Sequence, residues 1–149
     1  MQIQRLRFTV FLAAISFAAA VFADDDPRHV RHELMEGVRD AAKPVGQMLQ
    51  GEREFDAEVV MASLAVFKDA AAMAGELFPA GTETGMDTRA AAAIWEDRAG
   101  FEAALANWQQ AIDGAVAANP ASGEELGPAV GPVFKACKNC HDNYRVENE

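Results

Sequence analysis

Asp56-Ala57-Glu58-Val59-Val60-Met61-Ala62-Ser63-Leu64-Ala65-Val66-Phe67-Lys68-Asp69-Ala70-Ala71-Ala72-Met73-Ala74 is the stretch on which the fold turns. Val60, Leu64, Phe67, Ala71, Ala74 and, just beyond it, Phe78 recur at alternating steps of four and three. That is the period of one helical face, and it predicts an amphipathic helix opening at Asp56. No segment alternates at period two for long enough to make a strand. Alanine is the commonest residue, while Trp and Tyr together number three, a balance that favours helix over sheet.

The same period extends outward on both sides. Upstream, Val30, Leu34, Val38, Ala41, Val45 and Met48 form one stripe. Asp25 or Asp26 before Pro27 gives it a capping carboxylate and a proline where the missing N–H costs nothing. Pro44 lies inside the stripe and is expected to kink the helix or end it early; Gly51 closes it. Downstream, Phe78-Pro79-Ala80-Gly81 through Gly85 reads as a loop. A third helix carries Ile94, Phe101, Leu105, Trp108, Ile112 and Ala115 and ends near Asn119-Pro120. Ser122-Gly123-Glu124-Glu125 fits a capping box, with Glu125 reaching back to Ser122. Because of Pro128 and Pro132, the regular fourth helix is expected to begin only around Gly131. Val130, Phe134, Cys137, His141 and Tyr144 then share its face. Four striped helices on short connections predict an all-α, antiparallel four-helix bundle.

With 149 residues the chain holds one ordinary domain. Thirteen basic against 23 acidic side chains give a net charge of −10, which argues against nucleic acid and anionic membrane surfaces as partners. Residues 1–23 stand apart: Arg5 and Arg7 precede an apolar run, no acid occurs, and Val21-Phe22-Ala23 leads into Asp24-Asp25-Asp26. This is the pattern of a secretory signal peptide cleaved after Ala23. The uncharged stretch from Phe8 to Ala23 spans 16 residues, short of the roughly 20 that a membrane-crossing helix needs. The expected mature domain, residues 24–149, carries 11 basic and 23 acidic side chains, a net −12. No later stretch could insert in a membrane, so a soluble exported protein is expected.

Cys137-Lys138-Asn139-Cys140-His141 is a C-x-x-C-H sequence, the attachment pattern for c-type haem. On a helix the two thiols can reach the two vinyl-derived carbons along one porphyrin edge. His141, one turn from Cys137, brings its imidazole beneath the iron. A disulfide or redox C-x-x-C is the rival, but both cysteines of the protein lie in the motif and the chain is expected to be exported. A zinc site needs more ligands, and only His29 and His32 remain. Only Asp142 to Glu149 follow the motif, without Met, Lys or His, so any sixth iron ligand must come from upstream.

Over residues 28–146 the chain resembles the cytochrome c′ / cytochrome c-556 family of class II c-type cytochromes. The resemblance rests on Cys137-Lys138-Asn139-Cys140-His141-Asp142-Asn143-Tyr144-Arg145, the loop Leu77-Phe78-Pro79-Ala80-Gly81-Thr82, Ile94-Trp95-Glu96-Asp97, Phe101, and the spacing of Arg31 and Met35. It implies an up-down-up-down bundle enclosing one haem c, thioethers at Cys137 and Cys140, and proximal iron ligation by His141. It also implies Arg31 near the haem propionates, Trp95 in the haem surroundings, and Arg145 beside the proximal face. Met35 is implied on the distal side. In c-556 proteins such a methionine binds iron, whereas in cytochromes c′ the equivalent residue only covers it. Met48, Met61 and Met73 read as core instead.

The leading expectation is therefore a periplasmic electron-transfer protein with an unidentified redox partner protein. The alternative is a five-coordinate haem protein binding NO or CO as sensor, store or scavenger. No Ser/His/Asp triad, phosphate-cradling glycine loop or paired-carboxylate motif is found, and no enzyme activity is expected. The family resemblance also implies a possible homodimer through the first two helices.

Overall fold

Asp26 is where the first helix starts in the computed structural model, which describes residues 26–146; the signal peptide read over residues 1–23 lies outside them. The Asp26 carboxylate accepts the Arg28 amide at 2.9 Å, and Pro27 takes the first helical position. Helix α1 then runs Pro27–Leu49 without interruption, so the expected break at Pro44 does not occur. Proline removes one donor, the one that Asp40's carbonyl would accept. Asp40 is exposed, so water can serve that carbonyl, and burial of Val45 and Met48 just beyond holds the next turn in place. Gly51, at φ +73°, closes the helix.

Helix α2 is Ala57–Ala74, with Asp56 accepting the Glu58 and Val59 amides. Its stripe is buried as expected from Val60 to Ala74, with Ala70 and Ser63 added. Phe78 lies beyond the helix, after a single 3-10 turn at Gly75–Leu77. What reads as one third helix is two: α3, Ala93–Glu96, and α4, Arg98–Ala118. Asp97 leaves the helical region (φ −123°, ψ 62°), and its carboxylate caps α4 through the Gly100 amide at 3.1 Å. The periodicity continues across this break because both pieces bury the same side of the corner, through Ile94 and Phe101. Asn119, in the left-handed region at φ +43°, ends α4.

Helix α5 spans Gly123–Tyr144 and begins two turns earlier than expected. Pro128 and Pro132 are both exposed, so the carbonyls they leave unpaired can turn to water, while Leu126, Val130 and Val133 are buried among them. Ser122 accepts the Glu125 amide, but Glu125 reaches back to the Ala121 amide, at 2.8 Å, rather than to Ser122.

The four long helices form an antiparallel bundle, and among the described residues there is no strand, only an isolated bridge between Ala90 and Arg145. Helix α1 packs on α2, α2 on α4 and α4 on α5; of the neighbouring helix pairs, α1 and α5 meet least. The core is built from Val45, Val60, Leu64, Phe67, Ile112, Leu126, Val130 and Val133, joined by Ala70, Ala71, Ala115 and Ala136. Each large member contributes about 1.5–3 kcal/mol through its burial, and the alanines let the helix backbones approach. The outcome is close packing of α1 on α2, α2 on α4 and α4 on α5, and a looser seam between α1 and α5.

Candidate functional site

Cys137, Cys140 and His141 lie in the last two turns of α5, all half-buried. Neither cysteine is in a disulfide. Burial pushes the Cys137 thiol up to about 11 and raises that of Cys140 as well. Thiols held protonated at neutral pH are poor nucleophiles, which sets this pair apart from a thiol–disulfide exchange centre. Burial also pushes the His141 imidazole toward its neutral form, assisted by the nearby charges of Arg145 and Arg89. A neutral imidazole is the form that binds metal.

The end of α5 is fastened to the loop before α3. Arg145 is outside the helix in extended backbone (φ −127°, ψ 133°) and pairs with Ala90 across the isolated bridge. The Ala91 amide donates to Tyr144 O at 3.0 Å and the Val146 amide to Arg89 O at 2.9 Å. Arg89 Nε donates in turn to Val146 O at 3.3 Å. This clasp brings Arg89 and Arg145 together near His141. Arg145 was expected there; Arg89 was not, since nothing local in the sequence ties residue 89 to residue 146. Further in, Phe78, Phe101 and Tyr144 stack edge to face at 4.9 and 5.3 Å. The Tyr144 hydroxyl reaches the Asp97 carboxylate at 3.4 Å.

Arg31 is buried, only 6% exposed, and forms no ion pair among the described residues, although Asp26 and Glu83 lie near enough to favour its charge. Its four terminal N–H groups donate to Leu77 O (3.1 Å), Thr82 Oγ1 (3.0 Å), Thr82 O (2.7 Å) and Thr88 Oγ1 (2.6 Å). The guanidinium also sits 5.0 Å from the centre of the Phe78 ring. Desolvation lowers its pKa, with the nearby charge of Arg28 adding to the effect against the pull of Asp26 and Glu83. Trp95 is half-buried against the same loop, its Nε1 donating to Pro79 O at 3.3 Å. Arg31 and Trp95 thus meet on the Phe78–Thr88 loop.

Met35 is half-buried on α1, outside the core cluster that takes in its neighbours Leu34 and Val38. His29 and His32 are on the exposed side of α1, 3.2 Å from Glu33 and 3.8 Å from Glu36. Trp108 is a residue whose role the sequence conceals. It is 5% exposed in the core, and its Nε1 is the one buried side-chain polar atom without a partner among the described residues. Leaving such a donor unsatisfied costs about 1–3 kcal/mol. Cys137 packs against this core, and the Trp108 indole is among the groups that favour its thiolate.

Four antiparallel helices with a Cys-x-x-Cys-His sequence in the last turns of the fourth define a covalent-haem bundle protein. The family model described as Cytochrome C′ matches residues 26–145. A cytochrome c′ of Rhodopseudomonas palustris is 39% identical over 119 residues, 78% of this chain and 80% of the relative. A cytochrome c-556 of the same organism is 31% identical, covering 89% of this chain and 91% of its own. The solved structure of cytochrome c′ from Rhodopseudomonas palustris superposes with a TM-score of 0.81 at 35% identity, over 85% of this chain and all of that one. The chain belongs to the cytochrome c′ family and binds haem c, with its iron, covalently. The residues present suit that group: two protonated unpaired thiols, a neutral-leaning imidazole, a loose α1–α5 seam and a buried donor with no partner.

Proposed function

We propose that this chain is a periplasmic electron-transfer cytochrome whose Cys137 and Cys140 hold the haem as thioethers, with His141 as proximal iron ligand and Met35 as the sixth. The observation that carries this reading is Met35 itself, a methionine half-buried on α1 and left out of the core that absorbs Leu34 and Val38. When bound, the haem iron supplies the one-electron couple, and a sixth thioether ligand keeps reorganisation between the two states small. The chain supplies the rest. Arg31 and Trp95 brace the loop over Phe78, and the clasp at residues 89–91 holds the α5 end that bears His141. Arg145 and Arg89 set positive charge near His141.

Export rests on the leader at residues 1–23, and among the described residues no helix is long and apolar enough to cross a membrane. The net charge of −12 after cleavage suits a basic redox partner protein. Leu49, Val66 and Met73, exposed on α1 and α2, suit a homodimer through those helices. No catalytic residues are assigned, and the protein is not an enzyme on this reading.

A second reading, an NO- or CO-binding protein, draws on the two cations near His141 and on a similar solved structure. That structure is a ferrous variant of cytochrome c prime from Alcaligenes xylosoxidans with bound NO, TM-score 0.72 at 28% identity. Absorption spectra of the oxidised and reduced protein separate the two. Low-spin bands with a charge-transfer feature near ~695 nm mark Met35 ligation, and Met35→Ala should abolish them. A high-spin spectrum that responds to NO, unchanged in Met35→Ala, overturns the electron-transfer reading.

A further inference from the structure

We propose that the indole N–H of Trp108 is a positioning donor reserved for the sulfur of Cys137, closing a hydrogen bond to it once that sulfur is a thioether. The inference rests on the reading of Cys137 as a haem attachment point. Trp108 is 5% exposed in the middle of α4, and its Nε1 has no hydrogen-bond partner. Buried donors without partners are rare in folded proteins, so an orphan of this kind points to a group that arrives later. The other tryptophan shows the ordinary arrangement, with Trp95 donating to Pro79 O at 3.3 Å.

Among the α5 residues packed in or on that core, Cys137 is the one with a polar side-chain atom. It packs on the core that contains Trp108, across the tight α4–α5 contact. The indole is also among the groups that act on the acidity of Cys137. Attachment replaces the S–H hydrogen by carbon, so the sulfur can then only accept, and the indole N–H is the donor placed to supply it. A donor on that sulfur withdraws electron density from one edge of the macrocycle. Its effect is to favour the reduced state and to hold that edge against α4.

The test uses the haem-loaded full chain. The reduced pyridine haemochrome spectrum first counts thioether bonds. Two bonds uphold the attachment reading, and a protein with fewer fails there, separately from anything Trp108 does. Ultraviolet resonance Raman on a Trp95→Phe protein then isolates the Trp108 indole. A hydrogen-bonded N–H frequency is expected, and a free one overturns the proposal. Trp108→Phe completes the test, with the thioether C–S stretch displaced and the reduction potential lowered. Should both stay at their wild-type values, the indole bonds elsewhere and the proposal is wrong. Cys137→Ala, which retains the Cys140 attachment, provides the reciprocal measurement: its Trp108 frequency should move to the free position, and no movement refutes the assignment.

Discussion

Replacing Arg31 by Met tests the idea that a buried arginine, rather than the loop's own turns, holds the Leu77–Thr88 segment. The side chain volume is roughly kept, but all four donated hydrogen bonds disappear. The hydroxyls lose least. Thr82 Oγ1 still donates to Pro79 O at 2.9 Å, and Thr88 Oγ1 still accepts weakly from the Ala90 amide at 3.4 Å. The carbonyls of Leu77 and Thr82 lose their charged donors and sit in a part of the loop where Thr82 is 8% exposed. At about 1–3 kcal/mol for each carbonyl left unsatisfied, the loss is roughly 2–6 kcal/mol. Removing a desolvated cation that forms no ion pair returns part of that, leaving about 1–4 kcal/mol. For a domain of this size each kcal/mol lowers Tm by about 3–5 °C, so Arg31→Met should melt roughly 3–20 °C lower. Urea unfolding of the haem-loaded protein measures the difference, with Arg39→Met as control because Arg39 is exposed and meets only Glu36 and Asp40. If Arg31→Met stays within about 0.5 kcal/mol of the wild type, as a surface change does, then the loop is self-supporting and the reasoning fails.

Leu64, 1% exposed in the α2 stripe, should cost about 2–5 kcal/mol when changed to Ala, and a loss under 1 kcal/mol by urea unfolding contradicts its place at the centre of the core. The Asp26 carboxyl, hydrogen-bonded by Arg28, titrates at about 2 instead of 3.8. A lowered folded-state pKa stabilises the helix start above about pH 3.8, and that support is lost as pH falls toward 2. Carbon-13 NMR of the carboxyl together with exchange of the Arg28 amide follows this transition, and a midpoint near the unperturbed value rules out the cap.

The α2 stripe and the ends of α1 and α4 are legible because a buried face and a cap are local: Val60 to Ala74 declare their period, and Asp26, Asp56 and Asn119 act on their own turns. The prolines mislead for the same reason. Pro44, Pro128 and Pro132 each remove a local donor, and a sequence reading counts that loss. It has no sight of the exposed carbonyl on one side or of Val45, Val130 and Val133 buried on the other, and those decide the outcome. Asp97 shows the opposite error, where an unbroken period hides a cap because both helices bury toward one corner. At the site, Cys137, Cys140 and His141 are adjacent in sequence and can be read directly. The groups that surround them belong to other elements: Arg89 meets Val146 through a two-residue bridge, and Cys137 packs on the core to which α4 contributes Trp108.

Trp108 carries the point furthest. Its spacing says core, and by burial it is core; only the missing partner of one nitrogen sets it apart from Ile112 on the next turn. A hydrophobic stripe ranks residues by how much apolar surface they remove from water, and in that ranking an indole N–H is invisible. The donor becomes a distinct feature only when every buried polar atom is asked for its partner, a question that needs the neighbours' positions. For a bundle built around a covalent group this separation is general. The sequence motif marks where the group is attached, and unsatisfied atoms on the facing helices mark the contacts that complete themselves once it is there.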